Sequence, residues 1–144
     1  MSTYYSPAIT PVITAGAYSQ NDSVGGVFSV RLPMEQGTLM SVTILDDGDQ
    51  GSALELWLFE EDITGVADNA AFALTDADMG KCVGVVALDT WFDADANQIC
   101  VVDNIGMVFR SLSGTLTLML KMTDASTPTY AATDDLHIRL GIVY

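Results

Sequence analysis

The chain has 144 residues, 49% of them hydrophobic, with 19 acidic residues against five Lys plus Arg and a formal charge of −14. That length suits one domain with a core of its own, and the hydrophobic share argues against wholesale disorder. So strong an acidic balance repels phosphate backbones and anionic lipid heads, which sets nucleic acid and membrane surfaces aside as partners.

The opening MSTYYSPAITP has neither a basic segment nor an apolar run, so no signal peptide is expected and synthesis in a cytoplasm is. No apolar stretch approaches the ~20 residues of a membrane helix. Residues 1–16, rich in Pro, Thr and Ala, read as an extended N-terminal arm or an edge strand, with Tyr4 and Tyr5 on it. Residues 17–144 read as the body.

Within that body the apolar residues recur with period two, the mark of strands with one buried face. FSVRL (28–32) sets Phe28, Val30 and Leu32 against Ser29 and Arg31, and LMSVTIL (39–45) groups Met40, Val42 and Ile44. DDGDQG (46–51) then gives a turn, with Asp46, Asp47 and Asp49 offering a weak surface calcium site as the alternative. In ALELWLFE (53–60) Leu54, Leu56 and Leu58 share one face, while Trp57 and Phe59 share the other with Glu55. Trp57 and Phe59 face either the second sheet of their own sandwich or a neighbouring subunit.

DNAAFALTDADMGKCVGVV (68–86) crowds Asp68, Asp76 and Asp78 together. As an EF-hand loop it fails: Gly80 arrives one place early and no closing Glu follows. The spacing predicts a helical turn over 76–80 instead, capped by Thr75 and stopped by Gly80. Residues 68–80 are expected to cross the end of the sandwich, anchored by Phe72 and Leu74. KCVGVVAL (81–88) and QICVV (98–102) are apolar on both faces, which places them in a sheet centre or beneath another subunit.

Between those two runs, DTWFDADAN (89–97) puts Trp91 and Phe92 beside Asp93 and Asp95. Such a mixture can stack on a sugar ring and bond its hydroxyls, so these four residues are the candidate glycan contact; the alternative is an aromatic plug in the end of the sandwich. TLTLMLKM (115–122) directs Leu116, Leu118, Leu120 and Met122 inward, and LHIRLGIVY (136–144) does so with Leu136, Ile138, Leu140 and Ile142. The expected fold is an all-β single-domain sandwich or jelly roll of about eight strands.

Catalytic and cofactor chemistry finds no foothold. His137 is the sole histidine, pointing outward to solvent or to a neighbouring chain, and Cys82 and Cys100 lack metal or redox spacing. The two cysteines read as small buried hydrophobes, with a disulfide between adjacent strands as the alternative. No P-loop, dinucleotide fingerprint or nucleophile elbow is present, so no enzyme activity, metal or cofactor is expected.

Three segments, TPVITAGAYSQNDSVGG (10–26), residues 68–86 and PTYAATDDLHIRLGIVY (128–144), resemble a family of small proteins encoded by tailed bacteriophages beside their virion structural genes. The landmarks are Tyr18, Asp22, Gly25 and Gly26, together with Asp-Asn-Ala-Ala-Phe at 68–72, and the similarity runs the length of the chain in order. The resemblance implies a virion component with a β-sandwich body, used in symmetric copies, and it supplies no catalytic residues. A capsid decoration (cement) protein bound to the major capsid protein is the leading expectation, as a homo-oligomer with a trimer favoured over a dimer. Tyr4, Tyr5, Trp57 and Phe59 are the candidate subunit-interface residues. The alternative is a head-fibre, tail-fibre or collar component that binds a carbohydrate receptor.

Overall fold

The structure is a computed structural model that describes residues 1–144. Ten strands form in chain order: β1 (Thr3–Tyr5), β2 (Ser23–Arg31), β3 (Gln36–Asp46), β4 (Leu54–Phe59), β5 (Cys82–Leu88), β6 (Trp91–Asp93), β7 (Gln98–Val102), β8 (Met107–Arg110), β9 (Thr115–Met122) and β10 (Leu136–Val143). They make two antiparallel sheets. One has four strands in the order β2-β9-β4-β5; the other has six, in the order β1-β10-β3-β7-β6, with β8 also paired to β3. The sets β1-β10-β3-β7 and β2-β9-β4-β5 are the two facing four-stranded sheets of a jelly roll. The all-β expectation holds. The short strands β6 and β8 are additions to the eight-strand frame.

The core lies where the alternating residues of both sheets meet. Leu56, Leu58, Leu116, Leu118 and Leu120 face Val42, Ile44, Leu136, Ile138 and Leu140, all fully buried in one cluster. Each such side chain contributes about 1.5–3 kcal/mol relative to an exposed position. Strand β3 departs from the expected phase at one point. Leu39 pairs with Ile142 and Ser41 with Gly141, so Met40 is left as an extra residue opposite the partner strand. This bulge shifts the alternation, and Leu39 rather than Met40 is fully buried beside Val42.

The acidic stretch takes a different course from the one expected. Thr75 caps a single helical turn, α1 (Asp76–Met79), by accepting from the Asp78 amide, and Gly80 follows it. Residues 60–80 do not cross the end of the sandwich. They run as a strap over the outer face of the four-stranded sheet. Phe72 packs on Trp57 with ring centroids 5.1 Å apart, and the Lys121 ammonium lies 5.5 Å above the Phe72 ring. Gly65, at φ +59°, presses against Val27 and Met119 with no room for a side chain. The buried Asp78 carboxylate accepts from the Thr64 amide at 3.1 Å and the Gly65 amide at 2.9 Å, closing the strap on itself. The physical reason is coverage: Trp57, Phe59 and Met119 project away from the sandwich core, and the strap removes them from water.

Residues 81–88 also differ from expectation. Strand β5 is an edge of its sheet, not a centre, and of its residues only Val86 and Leu88 are buried, while Val85 is exposed. The N-terminal segment is an edge strand rather than a free arm. Strand β1 pairs with β10, and beyond it the Ile9 amide donates to Ile138 and the Ile13 amide to Thr133. The Tyr18 amide continues this line by donating to the Pro128 carbonyl. Ser2 and Tyr144 exchange two backbone hydrogen bonds, of 2.7 and 2.9 Å. Cys82 and Cys100 are both free thiols, with Cys100 buried, and burial pushes both thiols up from their ordinary pKa.

Candidate interaction face

The sandwich has two outer faces, and only one is covered by the chain itself. The open one belongs to the six-stranded sheet. Register fixes what it displays: His137 stands opposite Leu45, which stands opposite Ile99, which stands opposite Phe92. The next outward row is Arg139, Thr43 and Val101. Tyr5 aligns with Gly141, where a side chain would meet the Ser41 hydroxyl. Phe92 is 62% exposed, Tyr5 55% and Val101 45%, high values for apolar groups in strands. A shallow groove of ≈ 430 Å³ runs between Tyr5, Ala8, Thr43, Leu45, Ile99, His137 and Arg139.

Charge is distributed in the same one-sided way. The six strands of this sheet contain two of the 19 acids, Asp46 and Asp93. Asp46 points inward and is fully buried, and Asp93 sits at the tip of β6. Arg139 forms no ion pair; its guanidinium lies 5.6 Å over the Tyr5 ring. His137 bonds Thr10 Oγ1 through Nδ1 at 2.8 Å and Asp47 Oδ2 through Nε2 at 2.9 Å, tying the N-terminal segment to the end of β3. The middle of the face is therefore apolar with one cation, on a molecule that is otherwise strongly anionic.

The acid clusters singled out in the sequence serve the backbone. Asp46 accepts from the amides of Gly48 at 2.8 Å, Gln50 at 3.0 Å and Gly51 at 2.9 Å, which is the work of a turn rather than of a metal ligand. Burial pushes its carboxyl above the usual range against the pull of these amides, and neighbouring Asp135 adds to the rise. Asp68 gathers three separate segments. Its carboxylate accepts from the Thr14 hydroxyl at 2.5 Å, the Tyr18 hydroxyl at 2.6 Å and the Gly25 amide at 2.7 Å. Nowhere do three or more His, Cys, Asp or Glu side chains converge as a metal site would need.

The candidate glycan residues are pulled apart. Trp91 lies opposite the buried Cys100, packs on the core and donates its indole N–H to the Ser52 carbonyl at 2.9 Å. Phe92 points the other way, onto the open face. Asp93 accepts from the Asp95 amide at 2.7 Å and so closes its own turn. The four residues form no common platform for a sugar ring. Of the candidate interface residues, Phe59 is fully buried within the chain and Trp57 is half-covered by Phe72. Tyr4 packs on the core, and Tyr5 alone displays its ring.

Leu45, Ile99 and Val101 were not among the candidates, although QICVV carried the signal through apolar residues at both phases of one strand. A search of models of known protein families finds no match to this chain, and a search of curated proteins finds none either.

Proposed function

We propose that this chain is a structural component of a tailed-bacteriophage particle, a capsid decoration protein that acts by adhesion rather than by chemistry. The observation that carries the reading is the asymmetry of its outer faces: one sheet is partly covered by a strap of the same chain, and the other is left open and apolar across its middle, with carboxylates (Asp47, Asp93) only at one end. An apolar face that the chain does not cover is the signature of a binding surface. Burial there contributes about 25 cal/mol per Å², and repetition over a symmetric shell raises the total hold beyond any single contact. The acidic remainder keeps a protein made in many copies soluble. The resemblance to phage virion proteins in residues 10–26, 68–86 and 128–144 points to the same class of particle, with the major capsid protein as partner.

The test is reconstitution. Particles assembled without this protein are mixed with the purified chain and examined by sedimentation and electron microscopy. Stoichiometric binding at symmetry-related head positions is the expected result. Failure to bind, or density confined to a fibre tip together with binding on a glycan array, would replace this reading with the receptor-binding one.

A further inference from the structure

We infer that the open face of the six-stranded sheet binds a second copy of this chain, sheet against sheet about a two-fold axis. This inference rests on the reading that the protein works by assembly, and it names the occupant of the face. Charge selects that occupant. Two chains of −14 each repel wherever carboxylates meet, and the ends of the sandwich and the strap both carry them. The middle of the open face is where a second copy can approach with the fewest acids: its outward positions there are Tyr5, Leu45, Phe92, Ile99 and Val101 beside the Arg139 cation, with Asp47 and Asp93 at one end. A basic partner would be drawn to the acidic ends instead.

Size agrees. Five strand positions at ~4.8 Å and about eight residues at ~3.4 Å give a sheet face of roughly 600 Å² per copy. Specific stable interfaces begin at ~600 Å² per partner, so this face reaches the low end of that range. Sheets that stack face to face lie about 10 Å apart, a spacing that the exposed Phe92, Tyr5 and Val101 side chains of two copies would fill. A self-complementary patch generates a closed pair, so two copies are expected here rather than the three anticipated from the resemblance.

The experiment is sedimentation equilibrium on the full chain, with Val101→Glu, Phe92→Glu and, as a control on the opposite side, Met79→Glu. All three residues are exposed, so circular dichroism of each variant should match the parent. The parent and Met79→Glu should sediment as dimers, and each face variant should weaken the dimer by 100-fold or more. A parent that stays monomeric at tens of micromolar, a trimer, or a dimer untouched by both face variants would overturn the inference. The same proteins are then added to particles lacking the chain. Face variants that remain dimeric but lose particle binding would assign the face to the capsid lattice, which overturns the inference and leaves the decoration reading intact. A parent dimer that ignores the particles does the reverse.

Discussion

Asp68 holds Tyr18 by a 2.6 Å hydrogen bond across fifty residues of chain, and the same carboxylate oxygen accepts from the Gly25 amide. The strap, the N-terminal segment and β2 meet at this one group. Tyr18 is fully buried and sets its ring edge against Tyr130 at 5.8 Å between centroids. Asp68→Ala leaves two hydroxyls and an amide without their acceptor and should cost about 3 kcal/mol; Tyr18→Phe should cost about 1–2 kcal/mol. Urea unfolding of both single variants and the double should give a coupling above 1 kcal/mol, and simple additivity would mean that the bond is not what joins these segments.

Asp46 yields a pH signature. Its folded carboxyl lies above the usual range because burial outweighs its backbone hydrogen bonds, so the native state holds its proton more tightly than the unfolded chain does. The sign follows: stability attributable to this group is greatest at acid pH and is lost as pH rises through its folded pKa. Asp46→Asn removes the titration and one of the two acceptor atoms, costing about 1–3 kcal/mol. The deficit relative to the parent should be larger at pH 4 than at pH 8. Denaturant curves at the two values decide it, and a deficit that grows towards alkaline pH would reverse the assignment.

The strap should open as a unit when its aromatic clasp is removed. Phe72→Ala deletes the ring between Trp57 and Lys121, at a cost of about 2–3 kcal/mol, less than full core burial because Phe72 is half-exposed. Hydrogen exchange at the amides of Thr64 and Gly65 should accelerate well before exchange in β9, and Trp57 emission should shift to the red. Gly65→Ala attacks the same strap by backbone strain, since φ there is +59° and Met119 and Val27 fill the space. Equal acceleration in β9 would show that strap and sandwich open together.

The strands were legible because a one-sided sheet writes itself as alternation: every inward residue read from TLTLMLKM and LHIRLGIVY is buried. What alternation does not carry is the identity of the layer on the other side. Trp57 and Phe59 were visibly apolar on the phase opposite the core, and that pattern is the same whether the cover is a partner, a second sheet or, as here, residues 60–80 of the same chain. The phase slip at Met40 was invisible for a related reason, because Leu39 and Met40 are both apolar and either can fill an inward position. The open face was half legible: QICVV showed it, but Leu45 and Tyr5 join it only through register between strands far apart in sequence. The apparent glycan pair fell to the simplest rule of strands, that adjacent residues such as Trp91 and Phe92 point to opposite sides.

The pairing of early with late strands also constrains when this fold can exist. Strand β1 has β10 as its partner and β2 has β9, so the first thirty or so residues wait for almost the whole chain before they find their neighbours. Only the β4–β5 hairpin, closed through the strap, and the short β6–β7 hairpin join strands that follow one another in the chain and can form while the rest is still on the ribosome. Folding must therefore be slow and largely post-translational, dominated by contacts distant in sequence. In that interval the acidic charge protects the nascent chains, which repel one another while their strand edges are still bare.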